Sequence, residues 1–297
     1  MFIIKNRKIF FSISAILVIA SILSIFVWGL KPGIEFTGGT LLEIEYTNSL
    51  PSHGDLETRL VNMSIGNFSL QQTGENGYLI RTRDLNEPER EEILKALSFE
   101  GNTAIQKRIN TIGPSIGTEL RNKSYFAIGL VVLAIVLFIA LSFRKVSKPV
   151  SSFKYGLVAI VALLHDILIP TGFFVLLGQI THAEVDVLFV TALLAILGFS
   201  VNDTIVVFDR IRENLRINEE MNRSEKFENV VGLSLDQTIS RSINTSLTTL
   251  LVLLALYIFG GDSTKLFALT LVIGVIAGTY SSIFLASPML LWFNKGR

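Results

Sequence analysis

Charged and polar side chains interrupt three long apolar stretches of this 297-residue chain. Asp166, next to His165, lies near the middle of one stretch, Asp203 lies in the following one, and Arg241 and Asn244 stand at the start of the next. A charge near the centre of a bilayer costs several kcal/mol, so ionisable residues in such stretches are candidates for a functional site. An aspartate is too short to snorkel from mid-span. Asp166 and Asp203 therefore each need a partner, a proton or a water path.

The stretch that contains Arg241 has a polar first half. Residues three or four positions apart share one face of a helix, and such a set is present here: Gln237, Arg241, Asn244, Thr245 and Thr248. Lipid satisfies none of these groups, so this face requires polar neighbours or water. Asp203 lies on the preceding, oppositely directed helix, in the same leaflet as Arg241. An ion pair between the two is geometrically reasonable.

Simpler interpretations compete with these functional ones. Arg241 alone fits a side chain that snorkels to the interface. His165 fits a residue that packs between helices, and the charged residues 209–213 fit the solvated end of a helix. Under these interpretations, Asp166 and Asp203 are the positions that a purely structural role explains least well.

The elements that must position these residues are apolar segments. Half of the residues are hydrophobic and 17% are charged, against about 25% charged in soluble domains. Six blocks are each long enough to cross a hydrocarbon core about 30 Å thick: Ile9–Leu30, Tyr125–Phe143, Tyr155–Leu177, Val185–Phe208, Ile243–Phe259 and Leu266–Phe293. The predicted organisation is a first span within residues 1–30, a polar domain at 31–123, and five more spans at 124–297 with a cytoplasmic loop at about 209–240.

Basic residues predict the orientation, because Lys and Arg are enriched in cytoplasmic segments. With a cytoplasmic N-terminus, the cytoplasmic segments carry Lys5, Arg7, Lys8, Arg144, Lys145, Lys148, Lys154, Arg210, Arg212, Arg216, Arg223, Lys226, Arg241, Lys295 and Arg297. The two short outer loops carry Lys265 alone. Both termini are therefore expected in the cytoplasm, with residues 31–123 on the outer side.

The residue pattern of the polar domain predicts a small α+β unit. Its pattern predicts strands at Leu42–Tyr46, Asn67–Gln72, Tyr78–Arg83 and Thr103–Ile109, with helices at Ser52–Met63 and after Asn86. The alternation of apolar and polar residues marks the strands, and Asn86 followed by Glu89 is a capping box. The order βαββαβ is typical of a ferredoxin-like fold.

Composition excludes several kinds of chemistry. Without cysteine the chain can form no disulfide, thiolate nucleophile, iron–sulfur cluster or thiolate zinc site. Its three histidines, His53, His165 and His182, are too scattered for a histidine metal cluster. A net charge of +1 argues against nucleic acid as the partner. We therefore expect no catalytic residues, no cofactor and no metal.

Two glycine-containing motifs are structural. Gly33, Gly38 and Gly39 lie just beyond the first span and predict tight backbone turns. In the last span Gly274, Gly278, Ser281 and Ser282 form a ridge of small residues, which we interpret as a surface for close helix packing.

Several motifs in sequence order resemble the SecD/SecF family of bacterial protein-export membrane proteins, and within it the smaller of two paired subunits. They are Gly33–Gly39, Leu164–Ile167, Gly198–Asn214, Gln237–Thr249 and Gly278–Phe284. The family usually has Asp at the third place of the first motif, where this chain keeps the charge with Glu35. The resemblance covers essentially the whole chain.

The resemblance implies half of a transporter of the resistance–nodulation–division superfamily, paired with SecD in the bacterial cytoplasmic membrane. It implies association with the SecYEG channel, the SecA motor and often YajC, and use of the proton-motive force to help export preproteins. The equivalents of Asp203 and Arg241 belong to the proton relay. We assign Asp166, Asn202, Asn244 and Thr245 to the lining of the pathway.

Two other functions stay open at this stage. An exporter of small molecules or lipids from the same superfamily would share the helix bundle. An intramembrane aspartyl protease would also place two aspartates on adjacent spans, although its Gly-x-Gly-Asp context is absent. The sequence also leaves open whether protons or sodium ions drive the cycle.

Overall fold

The computed structural model describes residues 2–63, 65–99, 101–142, 151–181, 183–223 and 225–293. Some of the residues used above lie outside these ranges: Arg144, Lys145, Lys148, His182, Lys295 and Arg297.

Within these ranges the chain is mainly helical, with one small sheet. In chain order the elements are α1 (Phe2–Lys5), α2 (Arg7–Trp28), α3 (Ile34–Thr37), β1 (Gly39–Tyr46), α4 (His53–Val61), β2 (Ser69–Thr73), β3 (Gly77–Thr82), α5 (Glu87–Leu97), β4 (Ala104–Ile112), α6 (Pro114–Ser142), α7 (Ser152–Thr181), α8 (Val187–Glu220), α9 (Phe227–Phe259), α10 (Asp262–Tyr280), a π-helical turn (Ser281–Ala286), α11 (Ser287–Met289) and a 3₁₀ turn (Leu290–Phe293).

Six helices of the described ranges are long and apolar enough to cross a membrane. They are α2, α6, α7, α8, α9, and α10 together with the turns that follow it. The predicted count of six spans is confirmed, and the protein is a multi-pass membrane protein. Side chains of α7, α8 and α10 form much of the buried interior, whereas α2, α6 and α9 leave most of theirs exposed.

The structure corrects the predicted loop at 209–240. Helix α8 continues to Glu220 and α9 begins at Phe227, so most of this polar segment is helical. Charged side chains one turn apart support the helical end of α8, with Arg212 2.6 Å from Asp209 and Arg210 2.6 Å from Glu213. Hydropathy shows where a helix leaves the hydrocarbon core, but the helix itself can continue beyond that point. Arg241 consequently lies well inside α9.

The sheet of the α+β unit has the strand order β2-β3-β1-β4, and all neighbouring strands are antiparallel. This is the order of a ferredoxin-like βαββαβ unit and bears out the predicted fold. Leu42, Ile44 and Ile80 are fully buried on one face of the sheet. That face forms one core with α4 and α5, whose buried residues include Leu56, Leu60, Ile93 and Leu97.

The predicted start of the second helix of this unit is also confirmed. The Asn86 side chain accepts a hydrogen bond from the Glu89 backbone N–H, and the Glu89 side chain accepts one from the Asn86 N–H. The compact unit comprises Lys31–Phe126 together with Glu184–Val187, which is part of the connection between α7 and α8. The other compact unit is formed by the membrane helices.

Candidate functional site

Asp203 is held inside the helix bundle by two serines from other segments. The residue lies on α8 and is 7% exposed. The Ser242 hydroxyl on α9 donates to Asp203 Oδ1 at 2.6 Å, and the Ser282 hydroxyl on the π-helical turn donates to Oδ2. Both carboxylate oxygens are thus hydrogen bonded, each to a different helix. The carboxylate connects α8 to the two segments that pack on it.

Asp166 occupies an equivalent position on α7 and is fully buried. The Nδ1 atom of His165 lies 2.8 Å from Asp166 Oδ1. The hydroxyl of Ser281 donates to Oδ2 at 2.7 Å, and the hydroxyl of Ser200 on α8 donates to the same oxygen. Asp166 therefore has three hydrogen-bonding neighbours, as a buried acidic group requires.

The π-helical turn brings the two aspartates into one hydrogen-bonding system. Ser281 donates to Asp166 and the next residue, Ser282, donates to Asp203. A π-helical segment contains an extra residue per turn, and such segments are frequent at functional sites. Our interpretation of Ser281 and Ser282 as packing residues is therefore wrong. These two residues are the partners of the site that sequence reasoning missed.

The rest of the small-residue ridge does pack as predicted. A Cβ added to Gly278 would lie 3.3 Å from Ser200 Cβ and 3.7 Å from Asp166 Oδ2. A Cβ at Gly274 would collide with the Ile196 side chain. These glycines let α10 approach α8 closely, and the closeness brings the serine hydroxyls within reach of the carboxylates. In the sequence, the glycines shortly before Ser281 and Ser282 were the signal that could have identified these serines as partners of a buried acid.

Arg241 is not brought to Asp203. In the part of the chain that the structure describes, no contact of 4 Å or less pairs its guanidinium with an acidic side chain, and Arg241 is exposed. Successive helical residues point about 100° apart, so Ser242 faces Asp203 while Arg241 faces outward. The suggested ion pair is absent from this arrangement of the chain.

The other pathway residues lie with Arg241. Asn202, Asn244 and Thr245 are exposed, and none of them is hydrogen bonded to Asp166 or Asp203 within the described ranges. We name the α9 polar stripe after four exposed residues at helical spacing: Arg241, Asn244, Thr245 and Thr248. Gln237, which the sequence placed on the same face, instead accepts hydrogen bonds from Arg210 at 2.6 Å and Asn214 at 2.9 Å.

The glycine motif shapes the entry to the α+β unit. Gly38 and Gly39 have positive φ angles of 75° and 131°, which side chains other than glycine rarely adopt. A Cβ at Gly39 would lie 2.5 Å from the Thr82 carbonyl oxygen. The tight turns predicted for these two positions are confirmed. Gly33 donates its N–H to the Val185 carbonyl at 2.8 Å, so this segment pairs with the connection between α7 and α8.

The acidic residue of the motif is partly withdrawn from water. Burial raises the pKa of Glu35, and the nearby Asp186 acts in the same direction. Glu184 of the same unit pairs with Arg81 at 3.0 Å, yet burial raises the pKa of its carboxyl too. Lowering the pH therefore favours the protonated form of both groups before that of exposed glutamates.

Six apolar helices with two aspartates buried among them define a multi-pass membrane protein that has an ionisable site within its bundle. Comparison with known proteins gives the family. Residues 92–296 match "Protein export membrane protein SecD/SecF, C-terminal", and residues 23–49 match the "SecD/SecF GG Motif". The chain belongs to the SecD/SecF family of protein-export membrane proteins, a family of translocase subunits and not one of known enzymes.

Similar proteins are found in distant bacteria. The chain is 41% identical to "Protein translocase subunit SecF" of Thermobaculum terrenum over 99% of this chain and 94% of the relative. Identity to the protein of the same name from Pseudomonas aeruginosa is 35%, over 97% and 90%. "Protein translocase subunit SecDF" of Bacillus subtilis is 32% identical over 99% of this chain but only 38% of its own length.

The solved structures show the same relationship. The crystal structure of SecDF from Thermus thermophilus, a translocon-associated membrane protein, superposes with a TM-score of 0.82 at 30% identity. The match covers 98% of this chain and 38% of that chain. A super-membrane-facing form of SecDF gives a TM-score of 0.67. This chain thus corresponds to one part of a larger protein in which SecD and SecF are joined.

Proposed function

We propose that this chain is an auxiliary subunit of the Sec preprotein translocase that, with SecD, couples the proton-motive force to late stages of protein export. The family supports the role in export. The single observation that carries the coupling is the burial of Asp203 between α8, α9 and the π-helical turn, with a hydroxyl donor on each carboxylate oxygen.

Asp203 is the residue that takes up and releases the proton. Each serine hydroxyl can donate to the carboxylate, and after rotation its oxygen can accept from the protonated acid. Both charge states can therefore be held at this position during a cycle. Because its partners lie on two other segments, a change of charge alters the hydrogen bonds that hold three segments together. Movement of one charge through the full potential supplies about 2.3 kcal/mol per 100 mV, enough to bias an equilibrium of a few kcal/mol.

Arg241 and the α9 polar stripe act against a second helix bundle. Their exposed polar groups cannot be satisfied by lipid, so a partner must cover them in the membrane. SecD supplies the natural cover, because the fused SecDF relatives contain both parts in one chain. In that assembly Arg241 belongs to the proton relay, and Asn202, Asn244 and Thr245 line the pathway.

The family resemblance and the distribution of basic residues support the proposed location and further partners. The protein resides in the bacterial cytoplasmic membrane with both termini in the cytoplasm and the α+β unit outside. The membrane lipid, the SecYEG channel, the SecA motor, YajC and the translocating preprotein are its remaining partners. Movement of the helices reaches the preprotein through the segment Lys31–Gly39 and the α+β unit.

The arrangement of the aspartates does not favour the protease. Within the described ranges each carboxylate is hydrogen bonded to its own two serines, and the two carboxylates are not hydrogen bonded to each other. A catalytic dyad must share one proton between adjacent carboxyl groups. The small-molecule exporter has no specific observation in its favour either.

The test is export in a strain whose SecD is intact and whose only copy of this subunit carries Asp203→Asn. Export of a slow preprotein is expected to fall to the level of a strain without the subunit, since an amide cannot change its charge. Asp209→Asn is the matched control, because Asp209 is exposed on the same helix. The control should export normally. Wild-type export by Asp203→Asn, with normal protein levels, would contradict the relay role.

A further inference from the structure

The pair formed by His165 and Asp166 is buried more completely than Asp203. Asp166 is 0% exposed and His165 is 3% exposed. In the described part of the chain the Nε2 atom of His165 has no hydrogen-bond partner. Its ring is instead stacked on Tyr280, with centroids 6.1 Å apart and planes 14° apart. A role of Asp166 in lining the pathway does not by itself explain why a histidine is buried beside it.

The charge of the pair explains it. With a neutral imidazole and an ionised carboxylate the pair carries one uncompensated negative charge away from water, which is costly. One added proton makes the pair neutral overall, either as acid and imidazole or as carboxylate and imidazolium. In the second form the proton occupies Nε2, the atom that has no partner at present. The pair thus has a place for one proton on either residue.

The π-helical turn connects this pair to the first site. Ser281 reaches Asp166 and Ser282 reaches Asp203, and Ser200 on α8 donates to Asp166 three residues before Asp203 on the same helix. A protonated carboxyl group also donates one hydrogen bond, so a serine on the protonated oxygen can turn from donor to acceptor. Because Ser281 and Ser282 are consecutive, the π-helical turn offers a direct route between the two carboxylates.

We propose that Asp166 and His165 form a second proton-holding site, coupled to Asp203 through Ser281 and Ser282. The proposal rests on the proposed function, because it assigns the second place that a proton occupies in the same cycle. The titratable groups around the pair are Tyr280, whose hydroxyl donates to the Phe10 carbonyl at 2.8 Å, and Asp203. No redox step or leaving group is involved; a single proton moves onto the pair and off again.

Infrared difference spectroscopy of the purified full chain tests this, because a protonated buried carboxyl group has its own C=O stretching band. In a pH titration of wild-type protein labelled with ¹³C in its aspartate carboxyls we expect two such bands. Asp203→Asn should remove one band and Asp166→Asn the other. His165→Gln should keep the Asp166 band and shift its midpoint. If wild type and Asp203→Asn differ by one band and no second band titrates, the second site does not exist.

Serine variants test the coupling without removing a charge. Ser281→Ala is expected to shift the midpoints of both aspartate bands, the Asp203 band by way of the π-helical turn. Ser24→Ala is the control, since Ser24 is a buried serine that donates to the Gly172 carbonyl at 3.1 Å and to no carboxylate. An Asp203 midpoint that is the same in Ser281→Ala and wild type would overturn the coupling.

Two further outcomes distinguish the relay at Asp203, the second proton-holding site and the binding of sodium. If Asp203 shows no titrating band while Asp166 does, the proposed relay at Asp203 fails and the second site stands. If both midpoints move when sodium replaces potassium at constant ionic strength, the ligand of the pair is sodium and the proton proposal is overturned. Because the ¹³C measurement on wild type requires no variant to fold, the central expectation stays testable in every case.

Discussion

At the scale of single residues, the site is built from serine hydroxyls and buried acids. Each hydroxyl can donate to a carboxylate and can rotate once the carboxyl is protonated, so serine permits both charge states. Within the described residues no ion pair of 4 Å or less joins Asp203 to Arg241. In the proposed cycle Arg241 acts at another stage or across the interface with SecD.

Ser242→Ala is the residue-scale prediction. The substitution removes the 2.6 Å hydrogen bond to Asp203 Oδ1, and hydrogen bonds to charged groups contribute about 1.5–3 kcal/mol. The carboxylate loses one of its two donors, so we expect the rate of late-stage export to fall several-fold. Ser240→Ala, an exposed neighbour on α9, should leave the export rate unchanged. Equal export rates for Ser242→Ala and wild type would show that this bond does not support the role of Asp203.

At the scale of secondary-structure elements, the glycine pair and the π-helical turn are the segments that the fold holds in special conformations. Gly39 begins β1 at a φ of 131°, next to the Thr82 carbonyl of β3. The π-helical turn aligns Ser281 and Ser282 with different helices. The π-helical turn thereby contacts both aspartates of the proposed cycle.

Gly39→Ala is the element-scale prediction. Backbone strain of this kind costs about 1–3 kcal/mol, and the added Cβ would also displace the Thr82 carbonyl. We expect faster amide hydrogen exchange in β1 and β3 of the full chain in detergent. Gly54→Ala is the control, because a Cβ at this position in α4 meets no atom within 4 Å. Equal protection in Gly39→Ala and Gly54→Ala would contradict the strain argument.

Local signals explain what the sequence could predict about these elements. The capping box at Asn86 and Glu89 and the alternation at Leu42–Tyr46 are both encoded within a few residues, and both were predicted. The charged residues 209–213 were interpreted as a helix end, but the continuation of α8 to Glu220 was missed because hydropathy falls there. Ion pairs such as Arg212 with Asp209 support the helix in this polar segment. The partners of Asp203 and Asp166 were missed for a different reason. A serine on another helix cannot be identified from the residues around the acid in the sequence. The π-helical turn depends on tertiary contacts, which the sequence pattern does not show.

At the scale of the whole molecule, the chain has the character of one half of an assembly. It covers almost all of the SecF relatives but 38% of the fused SecDF chain of known structure. Its α9 polar stripe is exposed on a helix long enough to span the membrane. An exposed polar face of this kind requires cover within lipid, and in the proposed assembly SecD provides it.

Association with SecD is the prediction at this scale. We expect the double substitution Asn244→Leu with Thr248→Leu to reduce the amount of SecD that co-purifies with this subunit from detergent, because the polar contacts across the stripe are lost. Thr118→Leu replaces an exposed threonine on α6 that makes the same kind of intrahelical hydrogen bond and should leave the yield unchanged. Undiminished recovery of SecD with the double variant would place the interface elsewhere.

Export into inverted membrane vesicles measures whether Asp203 couples export to the proton-motive force. ATP and SecA are held constant while an ionophore removes the proton-motive force. Vesicles with the wild-type subunit, or with Asp209→Asn, should lose most of the late-stage export rate when the force is removed. Vesicles with Asp203→Asn should be slow from the start and should not respond to the ionophore. A full response to the ionophore in the Asp203→Asn vesicles would contradict the account.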